Sequence, residues 1–215
     1  EGFGIWSFTA EEIDGLTITP PRNHSGDISL DVTVVATDAE GNEVSTDAVA
    51  NISITGVADE PTVTVNNVSG NEDSAISLDI SAALADTDGS ESISAIVISG
   101  VPSGALLSAG INNGDGTWSV TEAQLDGLTI TPPLNSSDDF TLGVSVTVSE
   151  DDGDTASSSA SFTVSVTGVA DEPTVTVNNV SGNEDSAISL DISAALADTD
   201  GSESISAIVI SGVPS

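Results

Sequence analysis

Basic residues are almost absent from this sequence. Its 215 residues contain 35 Asp and Glu but a single Lys or Arg, which is Arg22, so the formal net charge is −34. Nucleic acids and anionic membrane surfaces are bound through clustered lysine and arginine. Neither is therefore expected as a partner, and the charge favours cations instead.

Cysteine, methionine and tyrosine are also absent, and aromatic residues make up only 3% of the chain. No disulfide can brace the fold, and thiols give no information on the redox compartment. A core built mainly from Val, Ile, Leu and Ala is expected to be marginally stable. No stretch has the pattern of a signal peptide or the length of a membrane span. We expect no membrane insertion, and we expect any export to be directed by sequence outside these residues.

A long internal repeat organises what is present. The segment from Thr55 to Ser103 returns unchanged as Thr167 to Ser215, an offset of 167 − 55 = 112 residues. Trp6 and Trp118 align at the same offset. A period this long matches a small domain rather than one turn of a solenoid. The sequence therefore predicts a portion of an array of like domains.

The segment VADEP, at residues 57–61 and again at 169–173, marks the predicted boundaries. Residues 1–58 are then the C-terminal half of one immunoglobulin-like repeat, residues 59–170 a complete repeat, and residues 171–215 the N-terminal part of a third. We call them the first, middle and third repeats. The two partial repeats together lack only a counterpart of residues 104–112. We expect them to be unstable alone, or to complete each other between neighbouring chains.

The middle repeat reads as short strands separated by turn residues. The predicted strands are Thr62 to Val68, Ile76 to Ile80, Ile93 to Ile98, Leu106 to Ile111, Thr117 to Val120, Leu128 to Thr131, Phe140 to Val148 and Ser161 to Val166. Thr121 to Gln124 fits a capping box and predicts a single helical turn. Seven or eight strands in one repeat predict an all-β fold of tandem antiparallel β-sandwich domains, immunoglobulin-like or cadherin-like. The expected core residues are Leu78, Ile80, Trp118, Phe140, Leu142, Val144, Val146, Phe162 and Val164.

Acidic residues concentrate in the turns between these strands. Alternation of strand direction places the turns Asp86 to Glu91 and Glu150 to Thr155 at the top of a repeat. It places Ser69 to Ser74 and Pro132 to Asp139 at the bottom. The first predicted junction gathers Asp27, Asp59, Glu60, Asp86, Asp88, Glu91, Asp151, Asp152 and Asp154. The second gathers Glu72, Asp73, Asp138, Asp139, Asp171, Glu172, Asp198, Asp200 and Glu203.

These junctions predict calcium ligands. Two carboxylates about 5 Å apart repel by roughly 1 kcal/mol even in a water-like dielectric, and no lysine offsets the repulsion. Calcium takes six to eight oxygen ligands in flexible geometry, whereas magnesium demands stricter geometry and keeps its water. The competing interpretation is that acid-rich turns are simply solvated faces that keep the protein soluble. The convergence of many acids on one junction favours calcium.

Several segments in combination resemble a known family. VADEPTVTV, GNEDSAISLDI, ALADTDGSE, SGVPSGALLSAG, LDGLTITPP and VSVTG are similar to the extender repeats of bacterial repeats-in-toxin (RTX) adhesins. The resemblance implies calcium-rigidified cadherin-like or immunoglobulin-like domains on a surface protein that leaves the cell by type I secretion. It also implies an extracellular, monomeric, extended rod, whose partners are calcium and neighbouring repeats and whose distal region binds a ligand for biofilm attachment.

Catalysis is not expected. His24 is the single histidine, and its repeat counterpart is Ser136, so no function of the repeat can depend on it. Paired carboxylates are plentiful, but glycoside hydrolysis needs one acid with a raised pKa in an apolar cleft. The alternative to a spacer is an adhesion module that itself binds glycan, protein or ice. That alternative calls for exposed aromatics, such as Trp118, or for a flat array of threonines on one face. The alternating strand places Trp118 in the core.

Overall fold

The computed structural model describes residues 4–213 and confirms the all-β prediction. Strands account for 44% of the residues, and within residues 4–213 the single helical element is a 3-10 turn. None of the helical structure in that range is long and apolar enough to cross a membrane. The chain divides into two compact units. One unit comprises Glu1–Ala58, Asp86–Ser92 and Ser149–Thr155, and the other comprises Asp59–Ala85, Ile93–Val148 and Ala156–Ser215. The predicted repeat boundaries stay a prediction.

The first repeat contains one long hairpin. Strands β1 (Gly26–Thr37) and β2 (Glu43–Ile54) pair antiparallel over their full length. Most of their residues are exposed. The hairpin forms because both of its strands lie close together in the sequence.

The middle repeat contains eleven strands. They are β3 (Thr62–Asn66), β4 (Val68–Asn71), β5 (Ile76–Ser77), β6 (Asp79–Ala83), β7 (Glu91–Ser99), β8 (Leu106–Leu107), β9 (Ile111–Asn112), β10 (Trp118–Val120), β11 (Thr129–Thr131), β12 (Phe140–Glu150) and β13 (Thr155–Thr167). A six-stranded sheet has the order β4-β13-β12-β7-β10-β9, a three-stranded sheet has the order β5-β11-β8, and β3 pairs with β6. The arrangement is compatible with a β-sandwich. In the described part of the third repeat, residues 171–213, the strands are β14 (Thr174–Asn178) and β15 (Asp191–Ala195), which pair antiparallel.

One apolar core joins the sheets of the middle repeat. Ile98 and Val164 from the six-stranded sheet and Ile130 from the three-stranded sheet are all fully buried in it. Of the expected core residues, all but one are buried, and Phe140 packs half-buried against the cluster. Trp118 is 8% exposed, as its alternating strand predicted.

Several strands differ from the predicted bounds. Each of three predicted strands is two strands in the structure: Thr62 to Val68 is β3 and β4, Ile76 to Ile80 is β5 and β6, and Leu106 to Ile111 is β8 and β9. The two strands of each pair belong to different sheets, because the chain crosses from one sheet to another between them. Ser69 to Asn71 lie in β4, which runs parallel to β13, so the turn predicted at Ser69 to Ser74 begins only at Glu72. Strand β13 begins at Thr155 rather than Ser161. Its first six residues, TASSSA, lack large apolar side chains and gave no strand signal. They are strand because the hairpin with β12 continues through them.

The predicted helical turn is confirmed as the 3-10 turn Glu122–Gln124. The Gln124 side chain accepts a hydrogen bond of 2.9 Å from the Thr121 N–H, as a capping box requires. The repeat counterpart behaves alike, since the Thr9 N–H donates to Glu12 at 2.8 Å. This element is encoded locally, because its hydrogen bonds span only three residues.

Candidate metal centre

Three acidic side chains from two repeats come together at the predicted second junction. Oxygen atoms of Glu72, Asp198 and Asp200 all lie within 4.8 Å of one another. Glu72 and Asp198 are each 1% exposed. Within residues 4–213 this is the one group of three or more acidic, histidine or cysteine side chains that converges so closely. We call it the Glu72 cluster.

The end of β4 positions Glu72. Its N–H donates to the Thr167 carbonyl at 3.0 Å, which continues the pairing of β4 with β13. Its Oε1 accepts a hydrogen bond of 2.6 Å from the Val169 N–H. A Glu72 oxygen is therefore fixed against the linker that leads from the middle repeat into the third.

A tight turn after β15 positions the two aspartates. The Asp200 N–H donates to Asp198 Oδ1 at 2.8 Å, and the Ser202 N–H donates to Asp200 Oδ1 at 2.7 Å. The Ser202 hydroxyl donates to Asp198 Oδ2 at 2.7 Å. Gly201 has φ +102°, a conformation that other residues rarely adopt, so the sequence DTDGSE closes this turn without strain. The turn brings both carboxylates into one small volume.

The middle repeat also holds Asp200 directly. Asp200 Oδ2 accepts hydrogen bonds of 2.9 Å from both the N–H and the hydroxyl of Ser137. These bonds favour the ionised form, so the Ser137 N–H, with Ser202, holds the pKa of Asp200 far below its usual range. The cluster therefore carries negative charge at any physiological pH.

Three buried carboxylate oxygens, one of the cluster itself and two of residues that line the adjoining cleft, have no hydrogen-bond partner among residues 4–213. They are Glu72 Oε2, Asp171 Oδ2 and Glu203 Oε2. Glu203 and Asp171 are adjacent, because the Asp171 N–H donates to Glu203 Oε1. A buried carboxylate oxygen without a partner is costly. A bound cation would satisfy such oxygens without any change of fold.

The cluster borders an open cleft at the linker. Gly168, Asp171, Ser202 and Glu203 are among the residues that line it. A Cβ atom at Gly168 would lie 3.5 Å from Glu72 Oε1 and 3.6 Å from the Ser202 Cβ, so a side chain there would crowd the site. Gly168 therefore leaves space for the Glu72 carboxylate beside the linker.

The other acids predicted for the second junction do not join the cluster. Asp73 accepts a hydrogen bond of 2.9 Å from the Asn135 N–H. Asp139 accepts from the Val166 N–H at 2.8 Å. Asp138 and Glu172 are exposed. Asp73 and Asp139 thus tie turns to their own repeat.

At the first predicted junction, the turn at Asp86 to Glu91 resembles the turn that holds Asp198 and Asp200. Asp86 and Glu91 are buried, at 3% and 5% exposure. The Asp88 N–H donates to Asp86 at 2.8 Å, as in the copy at Asp198, and the bond from Ser90 lowers the pKa of Asp88. Within residues 4–213 no third carboxylate joins Asp86 and Asp88 as closely as Glu72 joins their counterparts. The repeat counterpart of Glu72 would have number 72 − 112 = −40, which precedes the sequence given.

The remaining predicted ligands are dispersed. Asp27 is exposed and accepts from the Ser53 hydroxyl at 2.7 Å. Asp154 accepts from the Ala58 N–H at 3.1 Å, and Asp152 accepts from the Asp154 N–H at 3.0 Å. Asp59 is half-buried, and Glu60 and Asp151 are exposed.

One buried acid was missed by the sequence analysis. Glu150, at the end of β12, is only 5% exposed, and burial raises its pKa. A Cβ atom at Gly56 would lie 2.6 Å from Glu150 Oε2, so this linker glycine also makes room for a carboxylate. The signal was available, because Glu150 continues the alternation of buried residues through Val144, Val146 and Val148. Its repeat counterpart Asp38 is exposed, and its bonds from Asn42 lower its pKa.

The donor set defines the chemistry. The three acids of the Glu72 cluster offer only oxygen, and the sequence has no cysteine. Oxygen donors suit hard cations such as Ca²⁺, Mg²⁺ or Mn²⁺. No protein-family model matches the chain, and no similar curated protein was found.

Proposed function

We propose that this chain is a calcium-rigidified structural extender, made of tandem β-sandwich repeats of a large bacterial surface adhesin. The observation that carries the proposal is the Glu72 cluster. It combines a carboxylate from the middle repeat with two from the third repeat. A cation held there links neighbouring repeats and limits bending between them.

Calcium is the best match among the hard cations. Carboxylates from a strand end, a tight turn and a linker do not impose an octahedron, and calcium accepts six to eight oxygen ligands in flexible geometry. Backbone carbonyls and water would complete its coordination. Magnesium retains several waters and demands near-ideal geometry. The cluster, in which Glu72 and Asp198 are buried and Asp200 is exposed, therefore favours the more adaptable ion.

The charges make the rigid state conditional on the ion. Without a cation, the carboxylates of Glu72, Asp198 and Asp200 repel one another, and no lysine is available to neutralise them. Calcium sites of extracellular modules have dissociation constants of about 10⁻⁴–10⁻³ M. The rod would then be rigid outside a cell and flexible at cytosolic calcium levels. This matches a role at the bacterial surface after type I secretion.

A spacer function also accounts for the unchanged block of sequence. Ligand-binding modules have no physical need for identical copies, whereas the output of a spacer is length. Strands that rise about 3.3 Å per residue give roughly 40 Å for each repeat with its linker. The parent adhesin would use that length to project a distal ligand-binding region for attachment or biofilm formation. The adhesion-module alternative is less favoured for the middle repeat, because its tryptophan, Trp118, is buried.

Small-angle X-ray scattering of the 215-residue chain with calcium and with chelator tests the proposal. We expect a larger maximum dimension, or a narrower distribution of shapes, with calcium. Glu72→Gln removes one charged ligand while retaining the acceptor for Val169, so with calcium it should resemble the wild-type chain in chelator. Glu122→Gln, which changes an exposed acid of the 3-10 turn, is the matched control. Superimposable wild-type profiles in the two conditions would refute the mechanism.

A further inference from the structure

Two strands from opposite ends of the middle repeat pair directly with each other. Strand β4 runs parallel to β13, with Val68 opposite Val164 and Asn71 opposite Thr167. Other pairs in the repeat, such as β3 with β6 and β10 with β7, are antiparallel. The parallel pair arises because the chain changes sheets at Asn67, between β3 and β4. Strand β4 thereby becomes the edge of the six-stranded sheet, beside β13.

The direction of this pair decides how it responds to a pull. The chain enters β4 at the Val164 end of the pair and leaves β13 at the Asn71 end. A pull on the two ends of the repeat therefore acts along the two strands in opposite senses. One strand would have to slide past the other, so all of their evenly spaced hydrogen bonds resist together. Each such bond is a modest term by itself, so the resistance depends on how many are loaded at once.

A side chain extends the pair at the end where the chain enters. Asn67 Oδ1 accepts a hydrogen bond of 2.9 Å from the Thr163 N–H, one residue before the first pair of the register. Asn67 is thus joined to β13 although the chain changes sheets there. A load that arrives through β3 meets this bond before it reaches Val68.

Glu72 extends the pair at the end where the chain leaves. Its N–H donates to the Thr167 carbonyl at 3.0 Å, and its Oε1 accepts from the Val169 N–H at 2.6 Å. Glu72 is 1% exposed, so water has little access to these bonds. The bonded segment therefore runs from Asn67 to Glu72, which is longer than strand β4 itself.

The core opposes sliding from the inner side of β4. A Cβ atom at Gly70 would lie 2.6 Å from Ile76 Cγ1, and Ile76 is only 3% exposed. A slide of β4 by two residues towards its own N-terminus would bring Glu72 to the position of Gly70. That position has no room for a side chain, because close-packed interiors yield little.

We infer that β4 and β13 form a mechanical clamp, which keeps the middle repeat folded when the chain is pulled from the two ends of that repeat. The clamp consists of the pairing of β4 with β13, closed by Asn67 at one end and by Glu72 at the other. Strand pairing needs no cation, so the clamp operates in chelator. That the chain carries tension rests on the proposed function, since a spacer transmits any pull between its two ends. A cation at the Glu72 cluster would hold one end of the clamp more firmly.

Single-molecule force spectroscopy of the full chain in two pulling geometries tests the inference. The sequence has no cysteine, so pairs of introduced cysteines define the points of attachment. Glu60→Cys with Ala170→Cys pulls the middle repeat from its ends, and Ser74→Cys with Ala170→Cys loads β13 at one end only. All three positions are exposed. In chelator we expect a severalfold higher unfolding force in the first geometry, because its bonds break together and not one after another.

The comparison of geometries separates the clamp from ordinary stability. Forced unfolding is governed by the rate of unfolding along the pulled path, and the folded repeat is the same in both geometries. Equal forces in the two geometries would overturn the inference.

Asn67→Ala tests the end of the clamp that the chain enters. It should lower the force between positions 60 and 170 and leave the force between positions 74 and 170 unchanged, because Asn67 lies far from the end that is peeled. Asn113→Ala is the matched control, since Asn113 Nδ2 donates to Thr117 Oγ1 at 2.9 Å, outside the clamp. This control should leave both forces unchanged. An Asn67→Ala chain that resists like the wild-type chain between positions 60 and 170 would also overturn the inference.

Calcium separates this inference from the proposed function. Calcium should raise the force between positions 60 and 170, and Glu72→Gln should remove this gain while keeping the force in chelator. Glu184→Gln changes the exposed repeat counterpart of Glu72 and should retain the gain. A force that ignores calcium would contradict the cation at the Glu72 cluster and leave the clamp supported by the two geometries. A clamp that resists only with calcium would contradict the claim that strand pairing is sufficient.

Discussion

The middle and third repeats share an identical stretch of sequence but differ in structure. Residues 91–99 form the central strand β7, with Ile96 and Ile98 at 2% and 0% exposure. The same residues at 203–211 form no strand, and Ile208 and Ile210 are 58% and 54% exposed. The difference cannot come from propensity or periodicity, since these are the same. It comes from β12 and β10, which flank β7 in the middle repeat.

The largest expected effect is the difference in stability between substitutions at Ile98 and at its counterpart Ile210. Ile98→Ala should lower the free energy of unfolding of the middle repeat by about 2–5 kcal/mol, because it leaves a cavity in a close-packed core. Ile210→Ala should change it by less than about 0.5 kcal/mol, as for other exposed positions. Urea unfolding at concentrations where the chain is monomeric measures both. Equal losses would mean that the third repeat is packed like the middle one.

The next effect compares Glu72 with Glu184 in calcium binding. At 100 times its dissociation constant, a bound ion stabilises the folded state by about 2.7 kcal/mol. Glu72→Gln should lose most of this gain, because one of three converging carboxylates becomes neutral. In chelator the same variant should be at least as stable as the wild-type chain, because repulsion with Asp198 and Asp200 is relieved.

In the monomer, Glu184→Gln should neither reduce the stabilisation by calcium nor raise the stability in chelator. Thermal unfolding at increasing calcium concentrations measures the calcium-dependent stabilisation of both variants. A Glu72→Gln variant that is destabilised equally with and without calcium would indicate a purely structural carboxylate.

A smaller effect is expected at a pair of crowded glycines. A Cβ atom at Gly70 would lie 2.6 Å from Ile76 Cγ1, and one at Gly182 would lie 2.5 Å from Ile188 Cγ1. Ile76 is buried and cannot move aside, whereas Ile188 is 44% exposed. Gly70→Ala should therefore cost about 1–3 kcal/mol as overpacking. Gly182→Ala should be nearly neutral. Comparable costs, measured by urea unfolding, would show that the two sites are equally constrained.

The smallest expected effect is on the pH dependence of stability. It compares Asp38 of the first repeat with its counterpart Glu150 of the middle repeat. The pKa of Asp38 is lowered by bonds from Asn42. Its contribution to stability is therefore present above the unfolded pKa and is lost as pH falls through the folded value. The pKa of Glu150 is raised by burial. Its ionisation therefore opposes folding at neutral pH, and the penalty disappears as pH falls.

Carbon-13 NMR titration of the side-chain carboxyls in chelator should find Glu150 above the usual glutamate range and Asp38 below the usual aspartate range. Glu150→Gln should stabilise the chain in chelator at pH 7 and not at pH 4. The reverse order of the two shifts would contradict the burial of Glu150.

The sequence was sufficient for the fold class, and it predicted one junction for the three acids Glu72, Asp198 and Asp200, which the structure brings together. Alternating apolar residues located the strands that hold Trp118 and Val144, whereas the junctions that the offset of 112 residues indicates stay a prediction. The sequence did not reveal which acids converge. Asp73 and Asp139 were predicted at the same junction as Glu72, yet they lie outside the group that Glu72 forms with Asp198 and Asp200. It also missed Glu150, because a buried acid is recognised only once the strand is seen to reach it.

The features that the sequence determined by itself are local. In the turn around Asp86 and Asp88, the Asp88 N–H donates to the Asp86 carboxylate at 2.8 Å. In the copy of this turn, the Asp200 N–H donates to the Asp198 carboxylate at the same distance. Those bonds span two residues, so they need no distant partner.

Tertiary structure alone decided whether ESISAIVIS becomes a buried strand and which carboxylate meets the turn. Both outcomes depend on groups many residues away in the chain. A strand needs neighbours to satisfy its backbone and cover its side chains. A metal site needs ligands that only folding brings together. The carboxylates of the Glu72 cluster meet in this way, because Glu72 is more than 100 residues from Asp198 and Asp200 in the sequence.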